Sequence, residues 1–407
     1  MNVKRCLVIL ALIGNGICVA PARVHAQEVK PGGKETITVR GILSASFFVQ
    51  DALFGLGNGQ KAQYVAEELQ EDEWWHGGDA RNMRLTLAFA GPEVSGDWRA
   101  NATFEMDFFG PFASGGNFGD EQPLPRLRLA YAELNNGRTV FRVGQDFAFT
   151  WGNVPVSTSH IGFPFGWGTG GLIGWRFLGV QVHHTLTSAD APTTAQIKLG
   201  VFKNSWSDEP NPPPVGGVPS ADDGPSAGES GLPQLEARLD FTGRAGSNAT
   251  WGAYVVGHYD TKDLDRAGVD TTSAELTSWA AEAGARIVAG RLTLHGNAWL
   301  GQAMGHHFGN IIQFRDVEGW GAWAQAGFNF TPRWSLWGFV GTDDPDDTDE
   351  AGLPLDRTGS LQIVPMLRFQ AGQLAFGLEW LHSRTDWTAL PTEREGNQII
   401  FSSVYNF

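Results

Sequence analysis

No cysteine stands anywhere after residue 18, because the two in the chain are Cys6 and Cys18. The rest of the chain therefore forms no disulfide, which suits a protein exported unfolded and uncross-linked better than a bridge-stapled soluble one. Long apolar runs are missing too. No stretch after Ala26 holds 18 uncharged apolar residues in succession, and hydrophobic residues make up only 42% of the chain, so a helical membrane protein is excluded. Positive charge is also in deficit. Lys4, Arg5 and Arg23 are the only charged residues before Gln27, leaving 26 basic against 44 acidic residues beyond it, a net charge of −18. That excludes nucleic acid as a partner. Methionine is scarce at 5, whereas Trp (16), Phe (26) and Gly (53) are abundant. Barrels in membranes need aromatic girdles at both interfaces and glycines where strands bend.

The start of the chain reads as a secretory signal peptide over 1–26. Lys4 and Arg5 precede an apolar core from Cys6 to Ile13, and Val24-His25-Ala26 places small residues at the cleavage positions before Gln27. Gly14, Asn15 and Gly16 cut the apolar run too early for a membrane anchor. Asn15-Gly16-Ile17 ahead of Cys18 is a poor lipoprotein match. At the other end, Ile399, Phe401, Tyr405 and Phe407 share one face. A terminal Phe with an aromatic two positions earlier resembles the signal that outer-membrane barrels present for assembly.

Between the ends, alternation dominates. Met83, Leu85, Leu87 and Phe89 alternate with Asn82, Arg84, Thr86 and Ala88. Trp98 to Phe108, Leu235 to Phe241 and Leu361 to Phe369 behave alike. Period two means strands with one apolar and one polar face. Sixteen segments follow the pattern: 36–49, 80–90, 97–109, 124–134, 138–147, 171–187, 193–203, 233–242, 248–260, 274–288, 291–303, 318–330, 333–342, 358–370, 373–385 and 396–407. In 171–187 the parity slips near Leu178-Gly179, as a bulge would cause. Every second connection is short, such as Asn135-Asn136-Gly137, Ala289-Gly290 and Ala371-Gly372. The others, including 51–79, 148–170, 204–232 and 343–357, are long and polar. The expected fold over 27–407 is all-β, a transmembrane antiparallel β-barrel of about 16 strands with short periplasmic turns and long extracellular loops. In water the apolar face of a sandwich with this pattern would be a large exposed patch; in lipid it is required.

Apolar parity toward lipid puts the opposite parity in the lumen. Arg84, Arg126, Arg128 and Arg142 then share one stretch of inner wall, with Arg99, Glu105 and Asp107 from the strand between. Lys198, Glu236, Arg238, Asp240, Glu282, Arg286, Arg368 and Glu379 fall inside by the same rule. Arginine on a lipid face costs roughly 2–4 kcal/mol at mid-depth. Two readings stand for the four arginines: a basic strip attracting anionic solutes, as charged rings do in pores, or a wall braced by pairing with Glu105, Asp107 and Asp146. The acidic clusters Glu67–Glu73 and Asp343–Glu350 read as solvated loops. The second fails calcium-loop spacing, since Pro345 interrupts it and its sixth position is not glycine.

Phe104-Glu105-Met106-Asp107-Phe108-Phe109-Gly110, Arg126-Leu127-Arg128-Leu129-Ala130-Tyr131-Ala132-Glu133-Leu134 and Val143-Gly144-Gln145 together resemble the DcaP-like trimeric porins. The resemblance covers the third to fifth strands closely and the rest by architecture. It implies a homotrimer of sixteen-stranded barrels that passes small solutes, dicarboxylates among them, with Arg126 and Arg128 as the matching arginines. By its place after the fifth strand, 148–170, with Trp151, Phe163, Pro164, Phe165 and Trp167, is expected to fold inward as a constriction loop.

The expected function is passive diffusion of small hydrophilic solutes through an outer membrane, with lipid and lipopolysaccharide around the barrel and no cofactor. A barrel enzyme and a structural or adhesive barrel are the competing classes. Hydrolysis needs an outward-facing Ser–His pair near a membrane interface. The pairs His183-His184 and His306-His307 read as rim or lumen residues, and a metal site would need a third ligand beside them.

Overall fold

The computed structural model describes residues 27–29, 35–110, 122–204, 231–263, 275–314, 316–348 and 355–407. The expected signal peptide over 1–26 and most of the 204–232 connection lie outside the described residues. Sixteen long strands form one antiparallel sheet: β1 (Thr36–Gln50), β2 (Arg84–Ser95), β3 (Trp98–Asp107), β4 (Arg126–Asn135), β5 (Thr139–Phe147), β6 (Arg176–Thr185), β7 (Thr193–Phe202) and β8 (Gln234–Ala245) come first. Then follow β9 (Ala249–Asp263), β10 (Glu275–Ala289), β11 (Leu292–Gln302), β12 (Glu318–Asn329), β13 (Trp334–Pro345), β14 (Arg357–Ala371), β15 (Leu374–Trp387) and β16 (Glu393–Asn406). Each pairs with its neighbour, and β1 pairs with β16 from Ile42↔Asn406 to Gln50↔Gln398. The cylinder is closed. Two short strands, Gln27–Val29 and Trp75–Asp79, add to the same sheet along β1.

Closure satisfies the ladder groups that an open sheet would leave bare, and this frees the outer face to be apolar. Leu43, Phe47, Val143, Val180, Leu199, Val255, Leu336, Val340 and Ile399 are exposed. Their neighbours of opposite parity, among them Ser46, Glu236, Gln362, Glu379 and Gln398, are buried. The distribution is the inverse of a water-soluble domain. Short turns join strand pairs at one end. At Asn135–Thr139 the Asn135 side chain accepts from Gly137 N (2.7 Å), and Asn136 accepts from Thr139 N (2.7 Å). Gly137 sits at φ +83°, where a Cβ would be strained.

Several expectations need correction. Segment 343–357 is not loop throughout: β13 runs to Pro345, and Asp343, read as solvated, is wholly buried in the inner wall. The bulge foreseen near Leu178-Gly179 is absent, for β6 pairs with β5 from Arg176 to His184 without a register shift. The shift falls instead between β3 and β4, where Glu105 faces Leu129 and Met106 faces Leu127, leaving Arg128 as the extra residue. The 51–79 connection is not simply polar and external. It holds a hairpin, Ala52–Phe54 with Val65–Glu68, whose Ala52, Phe54 and Val65 are buried while Glu67, Glu68, Glu71, Asp72 and Glu73 stay exposed.

Lipid exposure of the outer face makes a definite prediction. Val340→Arg on β13 lowers unfolding free energy by about 2–4 kcal/mol in urea titrations of the refolded barrel in bilayers. Leu390→Arg, in a connection where the side chain is 86% exposed, leaves the midpoint unchanged. Equal effects at the two sites would contradict the assignment of faces.

Candidate functional site

The wall from β2 to β4 brings five of the six residues singled out by parity to one place: Arg84, Glu105, Asp107, Arg126 and Arg128. Asp107 accepts from Arg126 through Nε (3.1 Å) and Nη2 (2.8 Å), and from Arg128 Nη1 (2.9 Å). Glu105 accepts from Arg128 Nε (2.7 Å) and Thr86 Oγ1 (2.8 Å), with Arg84 Nε at 3.6 Å. Arg128, the extra residue of the bulge, reaches both acids, whereas Arg126 pairs with Asp107 alone. Arg142 lies apart, between Glu133 (2.6 Å) and Asp146, with its guanidinium over the Tyr131 ring at 4.0 Å. Fork-shaped guanidinium–carboxylate contacts hold side chains in fixed orientation, so pairing is extensive here.

Pairing does not cancel the charge. Three further cations join the group: Lys61 and Arg81 from the first connection, and Arg176 at the start of β6. Arg81 pairs with Asp79 (2.6 Å). Among the described residues Lys61 and Arg176 meet no carboxylate within ion-pair distance, and Arg176 Nη1 is buried without a hydrogen-bond partner. Arg176 lies 4.0 Å over the Trp175 ring and Arg126 lies 5.6 Å from it. Lys61 lies over Phe163 (5.0 Å) and Arg81 over Phe109 (5.1 Å). Lys61, Arg81, Arg84, Arg126, Arg128 and Arg176 thus face Asp79, Glu105 and Asp107 around an aromatic floor. Burial, and then the neighbouring Arg81 and Arg126, push the Lys61 ammonium below its ordinary pKa, as expected where cations outnumber acids. Parity could not find Arg176, because period two groups it with exposed Leu178 and Val180, yet it is buried at the strand end.

The segment after β5 is hydrogen-bonded along its length to inward-facing groups of the wall. Asn153 donates to Ala285 O (2.9 Å) and Gly296 O (3.1 Å) on β10 and β11. Val156 N donates to Gln325 on β12 (2.7 Å), and Gln325 returns a bond to Val156 O (2.9 Å). Farthest across, Glu379 on β15 accepts from Ser157 Oγ (2.8 Å), Thr158 N and Oγ1 (2.6 Å each), and Ser159 N (3.1 Å) and Oγ (2.8 Å). One wholly buried carboxylate is therefore matched by five donors. The return path passes Gln362 on β14, Asn297 on β11 and the close approach of Gly171 to the β12 backbone at Ala322.

Two other connections lie against this segment. The hairpin region packs beside it, with Gln63 donating to Pro164 O (3.3 Å) and Val65 N bonded to Thr385 on β15 (2.9 Å). A third connection, 303–317, turns inward as well and meets it where Gly174 N donates to His307 O (2.7 Å). Between these loops and the wall lies an apolar cluster that includes Phe54, Val65, Phe163, Phe165, Trp167, Trp323, Phe339 and Leu381. The inner parity was expected to be polar; on β12, β13 and β15 it carries these large apolar side chains because loops, not water, cover them. Ser159 Oγ and His160 Nδ1 touch at 2.9 Å, but both residues are buried and Ser159 also donates to Glu379. Burial drops His160 to a pKa of about 3, so it stays neutral. A Gly224-Pro225-Ser226-Ala227-Gly228 string has the spelling of a nucleophile elbow, but it lies outside the described residues.

The anchoring by Glu379 is testable without reference to transport. Glu379→Ala removes the acceptor for the Thr158 and Ser159 amides, and hydrogen exchange at those two accelerates at least about tenfold, as a lost hydrogen bond to a charge of about 1.5–3 kcal/mol requires. Exchange in β15 itself is unchanged. Wild-type protection at 158–159 in the variant would show that the loop is held by something else.

Neither a family model nor a curated protein matches the chain. Solved structures do. The outer membrane channel DcaP of Acinetobacter baumannii aligns at a TM-score of 0.65 and 16% identity, covering 94% of this chain and 100% of that one. OprB of Pseudomonas putida aligns at 0.55 and 11%, covering 91% and 94%. An anion-selective porin from Comamonas acidovorans aligns at 0.53 and 12%, covering 92% and 100%. At these identities the likeness carries the architecture, and the chain has the DcaP-like porin fold, a closed sixteen-stranded barrel shared with outer-membrane channels.

Proposed function

We propose that the chain is an outer-membrane porin of a Gram-negative bacterium, a passive pore that prefers small anionic solutes. The observation that carries this is the surplus of cations at the depth where the inward loops narrow the lumen. Six cationic side chains face three carboxylates there, and Lys61 and Arg176 have no acid within ion-pair distance among the described residues. A low-dielectric wall focuses such a field on the passage. Rings of fixed charge select by sign, and the paired acids keep the arginines from binding a solute too tightly to release it. The aromatic floor of Phe109, Phe163 and Trp175 offers a face to the carbon skeleton of a carboxylate, so aromatic or aliphatic dicarboxylates suit the site. Nearer the short-turn end, Arg238, Arg244 and Arg286 line a second cavity of about 610 Å³ with Asp240 and Asn153. This extends the same sign of charge along the path. The Comamonas porin of like fold is itself anion-selective.

On this reading three copies assemble in the membrane, with lipid and lipopolysaccharide against the apolar face. The buried Ser159–His160 pair offers hydrolysis no reachable nucleophile, and the described connections 52–68, 148–175 and 303–314 pack against the inner wall rather than standing free for adhesion.

Planar-bilayer recordings in a KCl gradient test the proposal. Openings come in groups of three and the reversal potential has the sign for chloride over potassium. Arg176→Ala moves it toward zero without loss of the barrel, and Arg126→Ala with Arg128→Ala moves it further by stripping Glu105 and Asp107 of their partners. A cation preference in the wild type, or selectivity unchanged in both variants, would contradict the proposal.

A further inference from the structure

Under the 303–317 connection the fold assembles three ligand-type side chains that are far apart in the sequence. Glu236 on β8 stands opposite His258 on β9, and His307 descends onto them from the loop. All three are buried, and their ligand atoms lie within 4.8 Å of one another. His306-His307 lacked a third ligand nearby in the sequence; the barrel wall supplies two.

His258 Nε2 meets Asp260 Oδ2 at 3.1 Å while its Nδ1 faces Glu236 Oε1 at 3.2 Å. A neutral imidazole has one N–H. Given to Asp260, it leaves a bare nitrogen lone pair against a carboxylate oxygen, which repels unless a proton or a metal ion lies between. A carboxylate behind the ring is also the partner that metal-bound histidines usually have. Thr150 Oγ1 lies 3.4 Å from Glu236 Oε1 and 3.0 Å from His307 Nδ1. Its hydroxyl donates to the carboxylate and accepts the His307 Nδ1–H, so the His307 lone pair is on Nε2. That atom is buried with no hydrogen-bond partner.

We infer that Glu236, His258 and His307 form a binding site for a divalent ion of the zinc class, with one carboxylate oxygen and two imidazole nitrogens as protein ligands. Calcium and magnesium want six or more oxygens and do not fit this set. Tetrahedral ligands about 2.0–2.1 Å from zinc lie roughly 3.3 Å apart, a spacing Glu236 and His258 already have. His307 closes the remainder by rotation of its side chain. Binding expels to water the proton otherwise shared between His258 and Glu236. The ion would tie the β8–β9 wall to a loop whose backbone is held at positive φ at Ala303, Phe308, Asn310, Ile311 and Ile312. Glu236 also accepts from Phe149 N, at the root of the constricting segment. One ion therefore fastens two of the inward loops. The inference rests on the folded barrel and not on the sign of its selectivity.

The experiment uses the full refolded chain in detergent, stripped with chelator and titrated with Co²⁺. About one equivalent binds per chain, with the strong visible absorption of four-coordinate cobalt, and Zn²⁺ displaces it. His307→Ala abolishes the band, His306→Ala keeps it, and Asp260→Asn weakens affinity about 10–100-fold by loosening the His258 ring. Absence of the band in the wild type, or its survival in His307→Ala, overturns the site. Should His307→Ala fail to refold, the wild-type spectrum and its stoichiometry decide alone, with weak six-coordinate absorption or none counting against it.

Discussion

Everything in this molecule depends on the seam between its first and last strands. While β1 holds β16 from Ile42 to Gln50, the sheet has no edge, and its outer side chains face hydrocarbon without an exposed ladder. The same closure creates an interior where irregular backbone is tolerated only if the wall supplies partners for it. The wall does so with a few polar side chains. Glu379, Gln325, Gln362 and Asn297 answer the amides and carbonyls of the constricting segment, and Glu236 takes the amide of Phe149. Remove the seam and both requirements fail together.

The strands were legible because lipid enforces a period of two more strictly than a water-filled core does. Each of the sixteen segments coincides with a strand to within a few residues; Arg84, Glu105, Asp107, Arg126 and Arg128 meet on one stretch of wall, while Arg142 is held apart by Glu133 and Asp146. What failed was whatever parity does not encode. Arg176 sits at a strand end, where twist and the adjacent Trp175 outweigh alternation. Lys61 arrives from a connection whose acidic half suggested only solvent. Trp323, Phe339 and Leu381 are apolar on the inner face because loops press on them, a tertiary fact with no local signature. Asp343 was read with its acidic neighbours, though the strand carries it past the point where composition changes.

Charge at the narrow point is divided between two tasks. The carboxylates of Glu105 and Asp107 cost little to keep because each is shared by arginines, and they fix guanidinium planes that would otherwise sweep the bore. On the proposed function, Lys61 and Arg176 carry the excess that a passing anion senses. Aromatic rings beneath them lower the cost of leaving those cations without carboxylates, since a ring face attracts a cation even where water is sparse. Selectivity on this view comes from an imbalance within a braced wall rather than from a bare strip of arginines.

The inward–outward partition is measured most directly with single spin-labelled cysteines, which the chain after residue 18 is free to accept. On β10, labels at Ala285 and Ile287 face outward, and labels at Arg286 and Val288 face the lumen cavity. In liposomes, dissolved oxygen should relax the first pair strongly and a water-soluble nickel chelate the second, in strict alternation. Four labels with the same profile, or the alternation reversed, would contradict a barrel that wears its apolar side outward.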